Sequence, residues 1–422
     1  MTTVSAASQQ PLSPTLWGYA VFGGLLAMAG LPIYIHAPKF YVDEYAVSLA
    51  ALGTVLFVLR GLDFVQDPAL GWLAGRLRHA RAQAVGIAGV LMALAMLALF
   101  AIPPVFSPML WFALSLTVLF STYSFLTICF YATGTARGTE LGAGGHVRLA
   151  GWRETGALLG VCLAAAAPVA LAGVLAQPFT GFALGFAIMA GFALWAMRAE
   201  WGRLDARRAI DAPVLRLREI AADRTARRLL LVALVNALPV AVTSTLFLFY
   251  AETVLQADGW EGPLLILLFL SAAASAPLWA RLARRVGAKA ALIGGMALAA
   301  TSFVFVLMLG PGDIVLFALI CVVSGAGIGA DLTLLPAIFA SRMAELSPDA
   351  AQGFGLWAFV TKATLAIAAV IVFPVLDMSG FVAGPDNPDS ALLALVLLYA
   401  ALPSVLKLLA IVLLALTPLT EK

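Results

Sequence analysis

The chain is 422 residues long, 63% of them hydrophobic and 11% charged, with a mean hydropathy of +1.01. A soluble chain of that length needs far more polar surface, so the composition excludes a soluble enzyme or binding module and implies a polytopic membrane protein. The net charge of +3 excludes little by itself, because the placement of the charges carries the information.

The first fourteen residues are polar and lack a basic n-region, so the first apolar run is expected to be a retained span rather than a cleaved signal. Apolar segments of spanning length then recur at about 16–37, 46–74, 82–103, 108–134, 149–176, 180–199, 228–251, 261–283, 287–310, 313–340, 353–378 and 391–417. Prolines inside several of them (Pro32, Pro68, Pro277, Pro336, Pro374, Pro403) predict kinks. Small-residue runs such as Gly325-Ala326-Gly327-Ile328-Gly329-Ala330 allow close helix packing. Cys129, Cys162 and Cys321 lie in apolar runs without metal-ligand spacing and read as small buried hydrophobes.

The longest polar stretch, rich in arginine, divides the chain into an N-terminal six-helix bundle (1–200), a basic linker (201–227) and a C-terminal six-helix bundle (228–422). Basic residues gather in the loops after even-numbered spans: Arg76, Arg78 and Arg81, then Arg137 and Arg148, the linker, Arg281, Arg284, Arg285 and Lys289, and Arg342. The opposite loops hold Lys39 and the acids Asp43, Glu44, Asp258, Glu261, Asp313, Asp386 and Asp389. The positive-inside rule then puts both termini and the linker in the cytoplasm, and the expected location is a bacterial inner membrane. A weak repeat links Gly75-Arg76-Leu77-Arg78-His79-Ala80-Arg81 to Ala280-Arg281-Leu282-Ala283-Arg284-Arg285, each between the second and third span of its half. Two six-helix halves with a parallel repeat are the pattern of the major facilitator superfamily, an all-α membrane fold of twelve helices.

The second span is the unusual one. Arg60, Asp63 and Asp67 are spaced i, i+3, i+7 on one helical face. A charge at the bilayer centre costs at least roughly 2.5–3.5 kcal/mol, so three together need partners or a purpose. Asp63 and Asp67 lie about 6 Å apart along the axis and can share a monovalent cation or a proton. Pro68 cannot donate to the Phe64 carbonyl, which becomes a further oxygen ligand for a hard cation. The alternative is a packing clamp in which Arg60 and Arg76 pair the acids. Lys362, roughly 14 Å into the eleventh span, is the expected counter-charge, and its exchange with a cation would be a coupling device. A fixed salt bridge is the alternative.

Other intramembrane groups are Arg153 and Glu154 in the fifth span, either an inner-gate pair or side chains reaching the interface. Asp331 is expected to bind substrate or to pair with Arg60, and Lys407 to pair locally. Tyr123, Thr127, Phe130 and Tyr131 share one face of the fourth span and suit a sugar ring or an amphiphile; core packing is the competing reading. Trp357, one turn before Lys362, joins them as a substrate candidate. No phosphate loop, metal cluster or nucleophile elbow is present in the sequence, and His36, His79 and His146 are isolated, so no enzyme activity and no cofactor is expected.

The string Arg60-x-x-Asp63-x-x-x-Asp67-Pro68-x-x-Gly71-Trp72 resembles the helix-2 motif of the glycoside–pentoside–hexuronide:cation symporters, the melibiose-permease-like branch of the superfamily. Arg148-Leu149-Ala150-Gly151-Trp152-Arg153 is similar to the family's arginine segment, and Lys362 stands where the family has a lysine. The resemblance implies alternating access and a cation site on Asp63 and Asp67 for Na⁺, Li⁺ or H⁺. The sugar-binding members also carry acids in helices 1 and 4. Here Tyr19 to Leu26 has none, and Thr127 stands at the helix-4 position, with Tyr131 at a family aromatic. A lipid-carrying branch keeps the helix-2 acids and the lysine without a full sugar set. The expected function is therefore cation-coupled symport of a small organic solute such as a glycoside. The alternatives are a lysolipid or amphiphile carrier, a proton-coupled exporter, and a non-transporting receptor on the same fold. Expected partners are the solute and the lipid bilayer, with no nucleic acid, and the expected state is a monomer.

Overall fold

The computed structural model describes residues 16–207, 217–257, 259–347, 350–381 and 387–419. The first half contains α1 (Trp17–Met28), α2 (Leu31–Tyr45), α3 (Leu49–Arg76), α4 (Arg81–Phe100), α5 (Pro108–Glu140), α6 (Gly145–Ala172) and α7 (Pro178–Arg207). After the short α8 (Leu217–Ala222), the second half contains α9 (Arg224–Phe249), α10 (Glu261–Val286), α11 (Ala288–Val304), α12 (Ile314–Leu346), α13 (Ala351–Met378), α14 (Asp389–Val396) and α15 (Leu402–Ala415). Ten helical runs among the described residues are long and apolar enough to cross a membrane. The broken pair α1–α2 and the charged α3 complete two halves of six. Of the linker expected over 201–227, residues 208–216 lie outside the described residues, as do residues 1–15, Asp258 and Asp386.

The helix ends follow local chemistry. Ser48 caps α3 by accepting from the Ala51 N–H at 3.3 Å, and Asp223 caps α9 by accepting from the Ala226 N–H at 2.7 Å. The first span, in which Pro32 predicts a kink, is broken outright. It breaks after Met28, and Pro32, which has no N–H to give, sits in the first turn of α2. The twelfth span also departs from a plain helix. A π turn over Leu397–Ala401 precedes Pro403, which cannot donate to the Tyr399 carbonyl. A second π turn, Tyr250–Val254, ends the seventh span, and the Tyr250 and Tyr399 rings stack with centroids 4.2 Å apart.

Within each half, small residues set the packing distance. A Cβ at Gly156 or Gly160 of α6 would overlap the Ala20 or Gly24 carbonyl of α1, so these helices meet backbone to backbone. The halves touch through α3 on α13, α6 on α10 and α12, and α5 on α12 and α13. Several of these contacts lie toward the basic loops. A Cβ at Gly355 of α13 would come within 2.8 Å of the Asp67 carbonyl of α3, and one at Gly151 of α6 within 2.9 Å of Ala280 of α10. The molecule is thus closed at its basic end.

Candidate functional site

Between the halves lies a cavity of about 420 Å³, walled by α5, α9, α12 and α13, with Glu154 of α6 at its edge. Tyr123, Thr127 and Tyr131 line it from α5, and Asp331 and Trp357 line it from α12 and α13. Lys362 reaches its wall from α13.

Lys362 joins the two halves. Its ammonium donates to Asp67 of α3 at 3.1 Å and to Ser124 Oγ of α5 at 2.6 Å. Asp67 is fully buried, whereas the Lys362 side chain keeps 20% of its surface. Proximity explains the pairing. The Gly71–Gly355 crossing brings α3 against α13 one turn toward the basic end, which leaves the Asp67 carboxylate within reach of a lysine two turns further along α13. Leaving either charge buried without the other would cost about 3–5 kcal/mol. Beside this pair, Ser121 of α5 donates to Gln66 of α3 at 2.9 Å. Arg60 and Asp63 lie in α3, and their side chains are outside the described residues.

Arg153 and Glu154 form a second buried pair, 2.7 Å apart on neighbouring positions of α6. The Arg153 guanidinium lies 3.8 Å from the centre of the Tyr131 ring, and the Tyr131 hydroxyl donates to Glu154 at 3.2 Å. All three belong to the N-terminal half, so the pair fixes α5 to α6 and does not itself bridge the halves. The bridging contact here is aromatic. Tyr131 meets Phe354 of α13 at 5.0 Å, and Phe354 packs edge-on to Phe339 at 5.5 Å.

A third pair belongs to the C-terminal half. Lys407 of α15 donates to Asp331 of α12 at 2.5 Å and to Asn236 of α9 at 2.7 Å. The three residues are 4%, 6% and 5% exposed. Asp331 and Asn236 line the cavity and Lys407 stands behind them.

One substrate candidate is placed elsewhere. Phe130 is buried against α1, stacked on Tyr19 at 5.5 Å and tilted on Phe22 at 5.0 Å. It sits at the edge of the α5 stripe, and the close approach of α1 claims it for the core. Ser124 and Asn236 were not singled out in the sequence. Each is a small polar residue inside an apolar span, which was the available signal, but their partners lie far away in the chain.

The chain matches the family described as MFS/sugar transport protein over residues 16–421. No curated protein matches it by sequence. Among solved structures, a bacterial homologue of the iron transporter ferroportin in an outward-facing state is similar, with a TM-score of 0.68, 16% identity, and 95% of this chain and 99% of that chain covered. The E. coli fucose:proton symporter is similar at a TM-score of 0.64 and 14% identity, covering 94% of this chain and 98% of that one. At these identities the neighbours establish the fold, whereas the family match spans nearly all the sequence. This chain is an integral membrane transporter of the MFS/sugar transport family, built on the major facilitator fold.

Proposed function

We propose that the protein is a cation-coupled symporter of a small organic solute such as a glycoside, working by alternating access. The observation that carries this reading is Lys362, which belongs to one half and is hydrogen-bonded to Asp67 and Ser124 of the other. A monovalent cation or proton arriving at Asp67, with Asp63 one turn away, takes over the neutralisation of the carboxylate. Lys362 then keeps Ser124 as its acceptor, and α13 is free to move against α3. A carrier holding neither lysine nor cation at Asp67 leaves a bare buried carboxylate, and that penalty suppresses uncoupled movement. Arg153 and Glu154 hold α5 and α6 rigid at the edge of the cavity while the bundles rock. On this reading the basic loops, the linker and both termini face the cytoplasm, and the state described is closed to the cytoplasm.

The test is thermal unfolding of the purified protein against Na⁺, Li⁺ and pH, for wild type and Asp67→Asn. A ligand that binds only the folded state stabilises it by about 2.7 kcal/mol at a hundredfold excess over its Kd. Wild type should gain stability with one of these cations and Asp67→Asn should not. Equal gains in both would remove the coupling role from Asp67. The apolar wall residues Ile128, Val240, Leu332 and Leu365 favour a second reading, an amphiphilic cargo. Adding a glycoside in one arm and lysophosphatidylcholine in another to the same unfolding experiment separates the two: the cargo is the one that stabilises wild type.

A further inference from the structure

At the basic end, where the first span begins and the sixth ends, three aromatic rings gather on the surface of the N-terminal half. Trp17 of α1 lies 5.9 Å from Phe192 and 6.1 Å from Trp195 of α7, and the Phe192 and Trp195 rings stack at 5.7 Å. All three are exposed. The helix crossing explains the cluster. A Cβ at Gly18 would come within 3.0 Å of the Ala196 carbonyl, so α1 meets α7 backbone to backbone and their outward side chains converge. The exposed Arg198 guanidinium lies 4.9 Å from the centre of the Trp195 ring. Among the described residues no ion pair claims it. The nearest acid on α7, Glu200, is taken by Arg137 at 3.3 Å and by the Tyr19 hydroxyl at 3.2 Å. Residues 1–15, which lead into α1, include no acid. Below the rings an exposed apolar track runs along one face of α7, from Trp195 through Phe192 and Ile188 to Leu184. At 1.5 Å per residue it is about 16 Å long, close to the roughly 15 Å depth of one hydrocarbon leaflet.

We propose that this α1–α7 surface binds one singly charged anionic phospholipid, of the phosphatidylglycerol type, from the leaflet that meets the basic loops. The planar guanidinium presents parallel N–H groups to two phosphate oxygens while its face stays on Trp195. One guanidinium matches the one charge of a phosphodiester. The three rings pack on the glycerol and the top of an acyl chain, and Ile188 and Leu184 take its lower part. A zwitterionic lipid brings its own ammonium to its phosphate and gains less from Arg198. A soluble phosphate reaches Arg198 but leaves the apolar track uncovered. Tryptophan and arginine at a span end are in themselves ordinary features of a membrane interface. Arg76 over Trp72, at 4.6 Å and on a single helix, is that ordinary arrangement at the same end of α3. The Arg198 surface differs in drawing its rings from two helices locked together by Gly18.

The experiment is native mass spectrometry of the purified, delipidated full-length protein, titrated with palmitoyl-oleoyl phosphatidylglycerol or palmitoyl-oleoyl phosphatidylcholine. The variants are Arg198→Gln, Arg76→Gln and the double Trp17→Leu with Trp195→Leu, all at exposed positions. In wild type the first phosphatidylglycerol binds roughly tenfold or more tightly than the first phosphatidylcholine, as a charge-assisted hydrogen bond to phosphate requires. Arg198→Gln erases that preference by weakening phosphatidylglycerol alone, and Arg76→Gln leaves it at the wild-type value. The double tryptophan variant weakens both lipids, because both use the track. Equal affinity of wild type for the two lipids would overturn the proposal. So would an Arg76→Gln loss as large as that of Arg198→Gln, which means attraction spread over the whole basic end. Displacement of the bound phosphatidylglycerol by millimolar glycerol 3-phosphate would reduce the surface to a soluble-anion site and also sink it. A dimer mass that the double tryptophan variant converts to monomer would assign the rings to a second copy of the chain instead.

Discussion

Lys362 shows how much of a residue's role was visible in the chain. An ammonium deep in an apolar span demanded an acid, and Asp67 was one of two candidates in the second span. The structure adds Ser124, a hydroxyl that no spacing argument connects to a lysine 238 residues away. On the proposed coupling, Ser124 is the partner the ammonium keeps when a cation takes Asp67. Removing it should make release of Lys362 harder, because a hydrogen bond to a charged group contributes about 1.5–3 kcal/mol. Ser124→Ala is therefore expected to lower the apparent cation affinity by roughly tenfold or more, read from the cation dependence of unfolding. An unchanged cation titration would show that the hydroxyl is incidental. Asp331 carries a different lesson. Its depth in the tenth span showed that it needed a partner, for which the sequence offered substrate or Arg60; the structure instead gives it Lys407, which was expected to pair locally, because α12, α15 and α9 meet there.

At the scale of elements, the informative contact is the crossing of α3 and α13. Gly71 and Gly355 let these helices approach until a Cβ on Gly71 would lie 3.0 Å from the Gly355 Cα. Overpacking such a crossing costs typically 1–3 kcal/mol, and here it burdens only the state closed at the basic end. Gly355→Val should therefore shift the population toward opening at that end. With Cys129, Cys162 and Cys321 replaced, a cysteine at Trp357 should react faster with a membrane-impermeant thiol reagent added from the linker side. Reactivity equal to that of the Gly355 parent would mean the crossing does not gate the cavity. The breaks in the spans divide by cause. Those at Pro32 and Pro403 were legible, because proline withholds a donor wherever it stands. The π turn over Tyr250–Val254 contains no proline, and it lies where the Tyr250 ring packs on Tyr399 of another helix.

Across the whole molecule, the second half is tied to itself at the basic end by Arg342 of α12. Its guanidinium donates to both oxygens of Asp223, the cap of α9. The hydrogen bonds from Arg342 are the main reason that the Asp223 carboxyl is held below the usual carboxylate range. A folded value below the unfolded one, about 3.9 for a free aspartate, means that the stabilisation is complete at neutral pH and is lost as pH falls through the folded value. Arg342→Met should therefore unfold at a lower temperature than wild type at neutral pH. The gap should narrow below about pH 4, where Asp223 is protonated in the unfolded state. A gap that stays constant down to low pH would assign the effect to packing of the arginine stem. The partly exposed setting keeps the neutral-pH effect to about 1 kcal/mol.

The sequence by itself determined the membrane class, the spans, their division into halves and the charges that had to find partners. Hydrocarbon leaves a backbone few options, and it makes every intramembrane charge conspicuous. Only the tertiary structure decided which charges meet. Asp67 with Lys362 and Asp331 with Lys407 join residues 295 and 76 positions apart, across helices whose faces no single-chain periodicity relates. It also moved Phe130 from the cavity to the core, since the nearness of α1 rather than any property of α5 fixed which side of that stripe is buried. The pattern of charge in the chain established that buried charges must find partners, and the helix crossings, set by glycine, settled which ones they take.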